Sequence, residues 1–195
     1  MHEALRENAY LVKEHVGLFK AANNFDIFNP ASGRKVLECR EPTLGFFTKL
    51  LRFTDYKRMT PFDVRITTPE GRKVLSVKRG ISLFLSKVDV LDENDRLVGV
   101  FKQKLFSIGG KFDVFDANEN LLCTLVGKWT SWEFRFMAGE RELAKVSKKW
   151  SGLGKELFTS ADNYVLSIDG GVKPDDTVRI PIMAAVMCID MVLKE

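Results

Sequence analysis

Short alternating runs of apolar and polar residues recur along the chain, and successive pairs of runs flank a turn. The clearest units begin at Val64, Val88, Phe112 and Phe134, and an earlier copy begins at Phe25. Their turns are rich in Asp, Asn, Gly and Pro, which adopt or preset the backbone angles that hairpin loops require. The pattern therefore predicts five β-hairpins in series.

Two further strands are predicted outside these hairpins, at residues 11–14 and 164–168. About a dozen strands in one sheet favour closure, because open sheet edges promote aggregation. The sequence thus predicts an all-β fold with one helix, in which residues 1–195 form a single domain. Its sheet is a closed antiparallel barrel of about twelve strands.

The last segment of the chain changes character after Gly170 and Gly171. From Ile180 to Leu193 nearly every residue is apolar, so a helix here needs burial on all of its sides. Fourteen residues span about 21 Å as a helix, less than the roughly 30 Å of a bilayer core. We therefore predict a central helix at about 178–194 that fills the barrel. Its core residues are Ile182, Ala185, Val186 and Ile189, with Asp190 near its end beside a polar partner.

The amino-acid composition and net charge exclude several classes of protein. Of the 195 residues, 29% are charged and 45% are hydrophobic, which excludes a disordered tail and a polytopic membrane protein. The formal net charge of +4 is compatible with an acidic surface as partner but is too small to indicate nucleic acid. No nucleic-acid partner is expected.

The sequence also contains few cysteine and histidine side chains. The three cysteines, Cys39, Cys123 and Cys188, lie far apart, which indicates reduced thiols in a cytosolic compartment. The two histidines, His2 and His15, are both near the N-terminus. No zinc cluster or Ser-His-Asp set can be assembled from these residues. We expect a protein that is not an enzyme.

The most distinctive stretch of the sequence is the run 144–152 followed by 158–164, together with the terminal helix that contains Cys188-Ile189-Asp190. These residues resemble the phospholipid scramblase family, which is grouped with tubby and the plant LURP-one-related proteins. The hairpin at 61–66 and 71–75 is similar to the family's central hairpin. The resemblance implies a twelve-stranded barrel around a C-terminal hydrophobic helix.

The sequence also departs from the eukaryotic scramblases. It starts almost at the barrel, without their Pro-rich extension, and residues 80–86 lack their palmitoylated cysteine cluster. Ser160 stands where their calcium-linked segment has an acidic residue. A compact, prokaryotic-type member of the family is therefore expected.

The resemblance implies a protein that binds anionic membrane lipid and sits peripherally at the cytoplasmic, inner face of the membrane. Movement of phospholipids between the leaflets is part of the same hypothesis. The alternative is a soluble barrel of the tubby or LURP-one type, which binds a ligand or a protein and regulates without transport.

Two segments are candidates for lipid contact. The first, at 44–58, places large apolar residues at helical spacing among four cations, as in a basic amphipathic surface helix. The alternative is a lid that closes one end of the barrel. The second joins lysines to tryptophan, and its alternative is a solvated strand edge. The predicted lipid-binding residues are Phe46, Phe47, Lys49, Leu50, Arg52, Lys148, Lys149 and Trp150.

A calcium site is the one cofactor hypothesis. Asp162, Asn163 and Asp169 supply oxygen atoms of the kind that calcium prefers. The alternative is that these side chains cap local turns through hydrogen bonds to the backbone. Because the preceding acid is absent, binding no tighter than about millimolar is expected.

Overall fold

The computed structural model describes residues 1–14, 24–41, 61–80, 87–103, 111–128, 132–148 and 163–193, except for the side chains of residues 128, 188 and 190–193. A short 3₁₀ turn, Glu3–Leu5, precedes twelve strands and one α-helix, α1 (Arg179–Leu193). The strands are β1 (Ala9–Glu14), β2 (Phe25–Phe28), β3 (Lys35–Arg40), β4 (Phe62–Thr67), β5 (Lys73–Arg79), β6 (Lys87–Asp92), β7 (Leu97–Gln103), β8 (Phe112–Phe115), β9 (Leu121–Lys128), β10 (Glu133–Ala138), β11 (Arg141–Ser147) and β12 (Asn163–Ile168).

The twelve strands form one closed antiparallel barrel in which each strand pairs with its neighbours along the chain. The first and last strands close the barrel, with Tyr10 opposite Leu166 and Val12 opposite Tyr164. Closure leaves no unpaired strand edge. The predicted barrel of about twelve strands is confirmed, and the five predicted hairpins are β2–β3, β4–β5, β6–β7, β8–β9 and β10–β11.

The five hairpin turns differ in length but have two features in common. Each contains a residue with a left-handed backbone, followed by a shift in strand register. These residues have φ between 61° and 84° and are Gly33, Gly71, Asp95, Glu119 and Gly139.

Aspartate side chains cap the two hairpin turns that lack glycine. Asp116 accepts hydrogen bonds from the backbone N–H groups of Asn118 and Asn120, both at 2.8 Å. The side-chain amide and the backbone of Asn120 hold the pKa of Asp116 below its ordinary value. Asp92 makes the equivalent bonds to Asn94 and Arg96. These local bonds explain why Asp opens both turns.

Helix α1 is enclosed on every side. The six consecutive residues 182–187 are at most 1% exposed, and six residues cover all faces of a helix. Within a closed barrel, burial on all faces places the helix in the interior. Pro181 packs close to Gly99 of β7, where an added Cβ atom would lie 3.4 Å from the proline Cβ. The predicted central helix is confirmed.

The predicted core residues of the helix can be compared with the structure individually. Ile182, Ala185, Val186 and Ile189 are 0%, 1%, 0% and 3% exposed. The side chain of Asp190 lies outside the described residues. Among the described residues, no helix has the length and apolar character needed to cross a bilayer.

A buried arginine fixes the start of the helix. Arg179 is 1% exposed, and its guanidinium donates five hydrogen bonds. Such bonds offset the cost of removing the charge from water. Arg179 therefore ties the helix to the N-terminal segment and to the segment after β12. Its acceptors are the carbonyls of Leu5, Glu7, Val172 and Lys173 and the Oδ1 atom of Asn8.

The antiparallel order gives the barrel two distinct ends. At the hairpin end lie residues 1–8, the segment 169–178 and the five short turns. At the opposite end, here called the connection end, strands are joined by the segments 15–24, 41–61, 80–86, 104–111, 129–132 and 148–162. Strands of six or seven residues separate the two ends by about 20 Å.

The central position of the helix can be tested with Ala185→Glu. The variant should fail to fold, because an unpaired charge inside the barrel costs about 3–5 kcal/mol, most of the stability of a typical domain. Leu121→Glu is the matched control, since Leu121 is 58% exposed, and it should retain native stability. Soluble expression and near-UV circular dichroism measure the outcome. A well-folded Ala185→Glu variant would refute the enclosed helix.

The left-handed turns can be tested with two glycines. An added Cβ atom at Gly71 or Gly80 meets nothing within 4 Å, but only Gly71 has a left-handed φ, of +84°. Gly71→Ala should lower the free energy of unfolding by about 1–2 kcal/mol. Gly80→Ala should leave it unchanged or raise it by up to about 1 kcal/mol. Equal effects in urea unfolding would argue against backbone strain as the cause.

Candidate functional site

The strands that flank the two predicted lipid-contact segments meet the connection end of the barrel. Phe46, Phe47, Lys49, Leu50 and Arg52 lie outside the described residues, as do Lys149 and Trp150. The strands that flank them are described. Strands β3 and β11 end at the connection end, and strands β4 and β12 begin there. Strand ends that are about a hundred residues apart in sequence therefore lie at the same end of the barrel.

Lys148 is the predicted lipid-binding residue that the structure describes. Its Nζ atom lies 4.2 Å from the ring centroid of Trp132, a cation–π contact. Trp132 also stacks on Tyr164, with ring centroids 6.0 Å apart, and meets the edge of Phe134 at 6.4 Å. The ammonium group of Lys148 thus lies on an ordered aromatic platform at the connection end.

Strand alternation explains how this platform forms. On β10, Phe134 and Phe136 point into the barrel, so Trp132, two residues before Phe134, continues the inward-facing row. On β11, Val146 points inward, and Lys148 continues that row. The platform therefore lies at the limits of three strands: Trp132 directly precedes β10, Lys148 directly follows β11, and Tyr164 is the second residue of β12.

The backbone of Trp132 is unusual. Its φ of 49° is left-handed, which is rare for a bulky residue and persists only where the surrounding contacts determine it. The stack on Tyr164 supplies such a contact. The sequence analysis did not identify Tyr164 as part of this site, although period-two alternation places its side chain on the inner face with Val12.

Two buried charged residues occur at the same end. Glu41 and Arg79 are 6% and 4% exposed, and the Arg79 guanidinium lies 4.7 Å from the ring centroid of Phe62. Both follow the inward-facing rows of their strands, where the sequence pattern otherwise places apolar residues. Sequence reasoning missed them. The signal that identifies them is a charged residue at an inward position in the last layer of a strand.

The predicted calcium set does not come together. Asn163 begins β12 and Asp169 follows its last residue, so the two lie about 20 Å apart at opposite ends of the barrel. Calcium ligands must all lie within about 2.6 Å of the ion. Asp162 lies outside the described residues. The grouping of Asn163 with Asp169 is therefore wrong, because residues 163–168 form an extended strand.

Asp169 instead stabilises a turn at the hairpin end. Its Oδ1 atom accepts a 2.9 Å hydrogen bond from the Gly171 N–H and lies 3.5 Å from Arg141. This is the turn-capping alternative of the sequence analysis. Within the described ranges, no cluster of three His, Cys, Asp or Glu side chains could hold a metal ion.

The described cysteines are buried. Cys39 and Cys123 are free thiols with at most 2% exposure. Burial raises the pKa of the Cys123 thiol to about 12. A thiol with such a pKa is almost entirely protonated at neutral pH, so it is a poor nucleophile.

A groove of about 610 Å³ lies at the hairpin end, between the N-terminal turn and the first two hairpins. Its charges are mixed, and Glu3 lies 3.7 Å from Arg72 across it. Both side chains are largely exposed, so the pair contributes little to stability. The groove lies at the opposite end of the barrel from the strand ends that flank the predicted lipid-contact segments.

Comparison with known proteins agrees with this architecture. The family model named Scramblase matches residues 10–195. The curated human protein phospholipid scramblase family member 5 is 25% identical over 147 residues. This match covers 68% of the chain and 54% of the relative, so the chain spans about half the length of that protein.

A solved structure shows the same fold. The X-ray structure of the Arabidopsis thaliana protein AT5G01750 is similar to the present structure with a TM-score of 0.54. The superposition covers 95% of this chain and 92% of that chain, at 16% sequence identity. At this level of identity the likeness concerns the fold.

The separation of Asn163 from Asp169 can be tested by calcium titration. Asp169→Ala should leave calcium binding unchanged and no tighter than about millimolar, because Asp169 lies at the opposite end of β12 from Asn163. Isothermal titration calorimetry compares the variant with the native chain. Micromolar binding that Asp169→Ala abolishes would contradict the assignment of Asp169 to the hairpin end.

Proposed function

Because the chain belongs to the Scramblase family, we propose that it binds the surface of anionic phospholipid bilayers through the connection end of its barrel. The observation that supports the proposal is that the strand ends flanking the segments 44–58 and 148–150 all lie at that end: β3 and β11 end there, and β4 and β12 begin there. One segment supplies apolar and basic residues, and the other supplies lysine and tryptophan.

The chemistry of the first segment suits a bilayer surface. It contains the apolar residues Phe46, Phe47 and Leu50 and the cations Lys49 and Arg52. A cation near an anionic bilayer contributes about 1 kcal/mol. A fully buried Leu or Phe side chain contributes about 1.5–3 kcal/mol. A few such contacts offset the cost of localising a small domain without a lipid anchor.

The described part of the connection end has compatible chemistry. Trp132 presents an amphipathic ring of the type that is enriched at membrane interfaces. Lys148, held 4.2 Å from that ring, supplies a point charge for a lipid phosphate. Because stacking on Tyr164 orders the pair, less side-chain entropy is lost on binding than for two free side chains.

We further propose that the protein moves phospholipids between the two leaflets. The filled barrel interior limits the path that a lipid could take. Residues 182–187 of α1 fill the lumen and are at most 1% exposed. A lipid acyl chain therefore has no room in the folded barrel. Transport would have to run along the outside of the protein and through the bilayer that it contacts.

Lipid binding can be tested by flotation with phosphatidylserine-rich vesicles. The native chain should float, and binding should weaken as salt is raised, because exposed charges are screened. Phe47→Asp with Leu50→Asp should abolish flotation with little change in melting temperature. Leu97→Asp with Leu121→Asp is the matched control, since these apolar residues are exposed at the hairpin end, and it should float like the native chain.

The other outcomes identify the alternatives. If the Phe47 and Leu50 variant unfolds, the segment is a lid of the barrel and not a lipid contact. If it folds and still floats, the segment 148–150 carries the contact. If the native chain does not float, the soluble ligand- or protein-binding barrel is favoured. Where flotation succeeds, loss of fluorescent-lipid asymmetry in a dithionite assay measures transport separately.

A further inference from the structure

Two exposed leucines occupy equivalent positions in neighbouring hairpins. Leu121 and Leu97, at 58% and 41%, are the most exposed large apolar side chains in the described part of the chain. Each stands two positions after the left-handed residue of its turn, which is Glu119 in one hairpin and Asp95 in the other. Each leucine therefore begins the second strand of its hairpin, β9 or β7.

The equivalent position in each of the other three hairpins carries a cation that forms an ion pair. The pairs are Lys35 with Glu38 at 2.5 Å, Lys73 with Asp95 at 2.5 Å, and Arg141 with Asp169 at 3.5 Å. Leucine stands there instead in β6–β7 and β8–β9, which are adjacent in the barrel. The two leucines therefore form a local group and are not the singly scattered apolar residues that any surface contains.

Apolar neighbours enlarge this group on the outer wall of the barrel. Leu97 lies opposite Leu91, and Leu121 lies opposite Phe115. The Phe115 ring is on the outer wall, because the Nζ atom of Lys102 lies 4.8 Å from its centroid. Strand β8 separates β7 from β9, so the two leucines are about 10 Å apart across the sheet. We call the surface formed by Leu91, Leu97, Phe115 and Leu121 the leucine face.

The turns that border the leucine face are acidic. Their acids are Asp92, Glu93 and Asp95 in one turn and Asp116 and Glu119 in the other. Three of them form ion pairs: Asp92 with Arg96 at 2.8 Å, Asp95 with Lys73 at 2.5 Å, and Glu119 with Lys102 at 3.1 Å. Within the described ranges, Glu93 and Asp116 form no ion pair, so each turn retains a negative charge for a partner.

We propose that the leucine face is a docking surface for a basic amphipathic helix of a partner protein. The described strands form a closed barrel, which offers no strand edge for an added β-strand, so the partner must be recognised through its side chains. Leucines at positions i and i+7 of a helix are about 10.5 Å apart, close to the roughly 10 Å between β7 and β9. Lysine or arginine on the same helix would pair with Glu93 and Asp116.

The acidic turns argue against two other occupants of this face. A second copy of the chain in a twofold contact would bring the same acids towards each other. An anionic bilayer would be repelled by them. The inference is independent of the proposed lipid contact, because the leucine face borders the turns of the hairpin end.

A synthetic peptide tests the proposal on the full native chain. The probe is a fluorescein-labelled helix of leucine and lysine, about 15 residues or four turns long, with its leucines on one face. Fluorescence anisotropy should show micromolar binding that weakens as salt is raised. The peptide with glutamate in place of lysine should not bind. Failure of the lysine peptide to bind, or equal binding of both peptides, would overturn the proposal.

Restoring the cation of the other hairpins tests the apolar contact. Leu97→Lys with Leu121→Lys should weaken binding of the lysine peptide at least about tenfold, because both apolar anchors are lost. Ala31→Lys with Ser32→Lys is the matched control, since it adds the same charge to the exposed β2–β3 turn. The control should bind within about twofold of the native chain. Equal losses in the two variants would show that the leucine face is not the contact.

Neutral isosteres test the acidic turns. Glu93→Gln with Asp116→Asn should weaken binding about threefold and reduce its salt dependence. Asparagine retains an oxygen that can accept the turn hydrogen bonds from Asn118 and Asn120. Unchanged affinity in this variant would exclude a partner that is recognised by its basic residues.

Two further measurements distinguish the other occupants. In ¹H–¹⁵N spectra of the native chain, the lysine peptide should shift the backbone amides of residues 92–97 and 116–121, and shifts confined to other segments would overturn the proposal. A native dimer that Leu97→Lys with Leu121→Lys makes monomeric, measured by analytical ultracentrifugation, would identify a second copy as the occupant. Loss of vesicle flotation in Leu97→Asp with Leu121→Asp would identify lipid. Either result would overturn the partner helix.

Discussion

The six residues 182–187 of α1 are almost wholly excluded from solvent, so every face of that helix needs apolar neighbours. A single sheet can supply them only by closing around the helix. The inward-facing residues of the strands are mainly valine, leucine, isoleucine and phenylalanine. Where helix and strand approach most closely, Gly99 leaves room for Pro181. The barrel and its helix thus depend on each other for stability.

Arg179 fixes the start of the helix at one end of the barrel. Its five hydrogen bonds hold the start of α1 against the N-terminal segment and the segment after β12. The short turns lie at the same end as the N-terminal segment and the start of α1. The strand ends that flank the predicted lipid-contact residues lie at the other end. The structural and the proposed functional roles of the molecule are therefore separated along the barrel axis.

The filled interior also limits where a lipid could bind. A barrel of twelve strands could enclose a ligand, but here α1 fills the lumen. The proposed lipid contact is therefore left to the rim, where Trp132 stacks on Tyr164 and carries the Lys148 ammonium group. The proposed membrane recognition uses a surface rather than a cavity.

The sequence by itself determined the elements whose causes are local. Alternation and turn residues predicted the five hairpins, and the apolar run after Gly171 predicted the central helix, because each depends on neighbours within a few residues. Only the tertiary structure decided which residues meet. It separated Asn163 from Asp169 and joined Trp132 to Lys148 and Tyr164. These relations depend on strand direction and register across the closed barrel, which no local pattern contains.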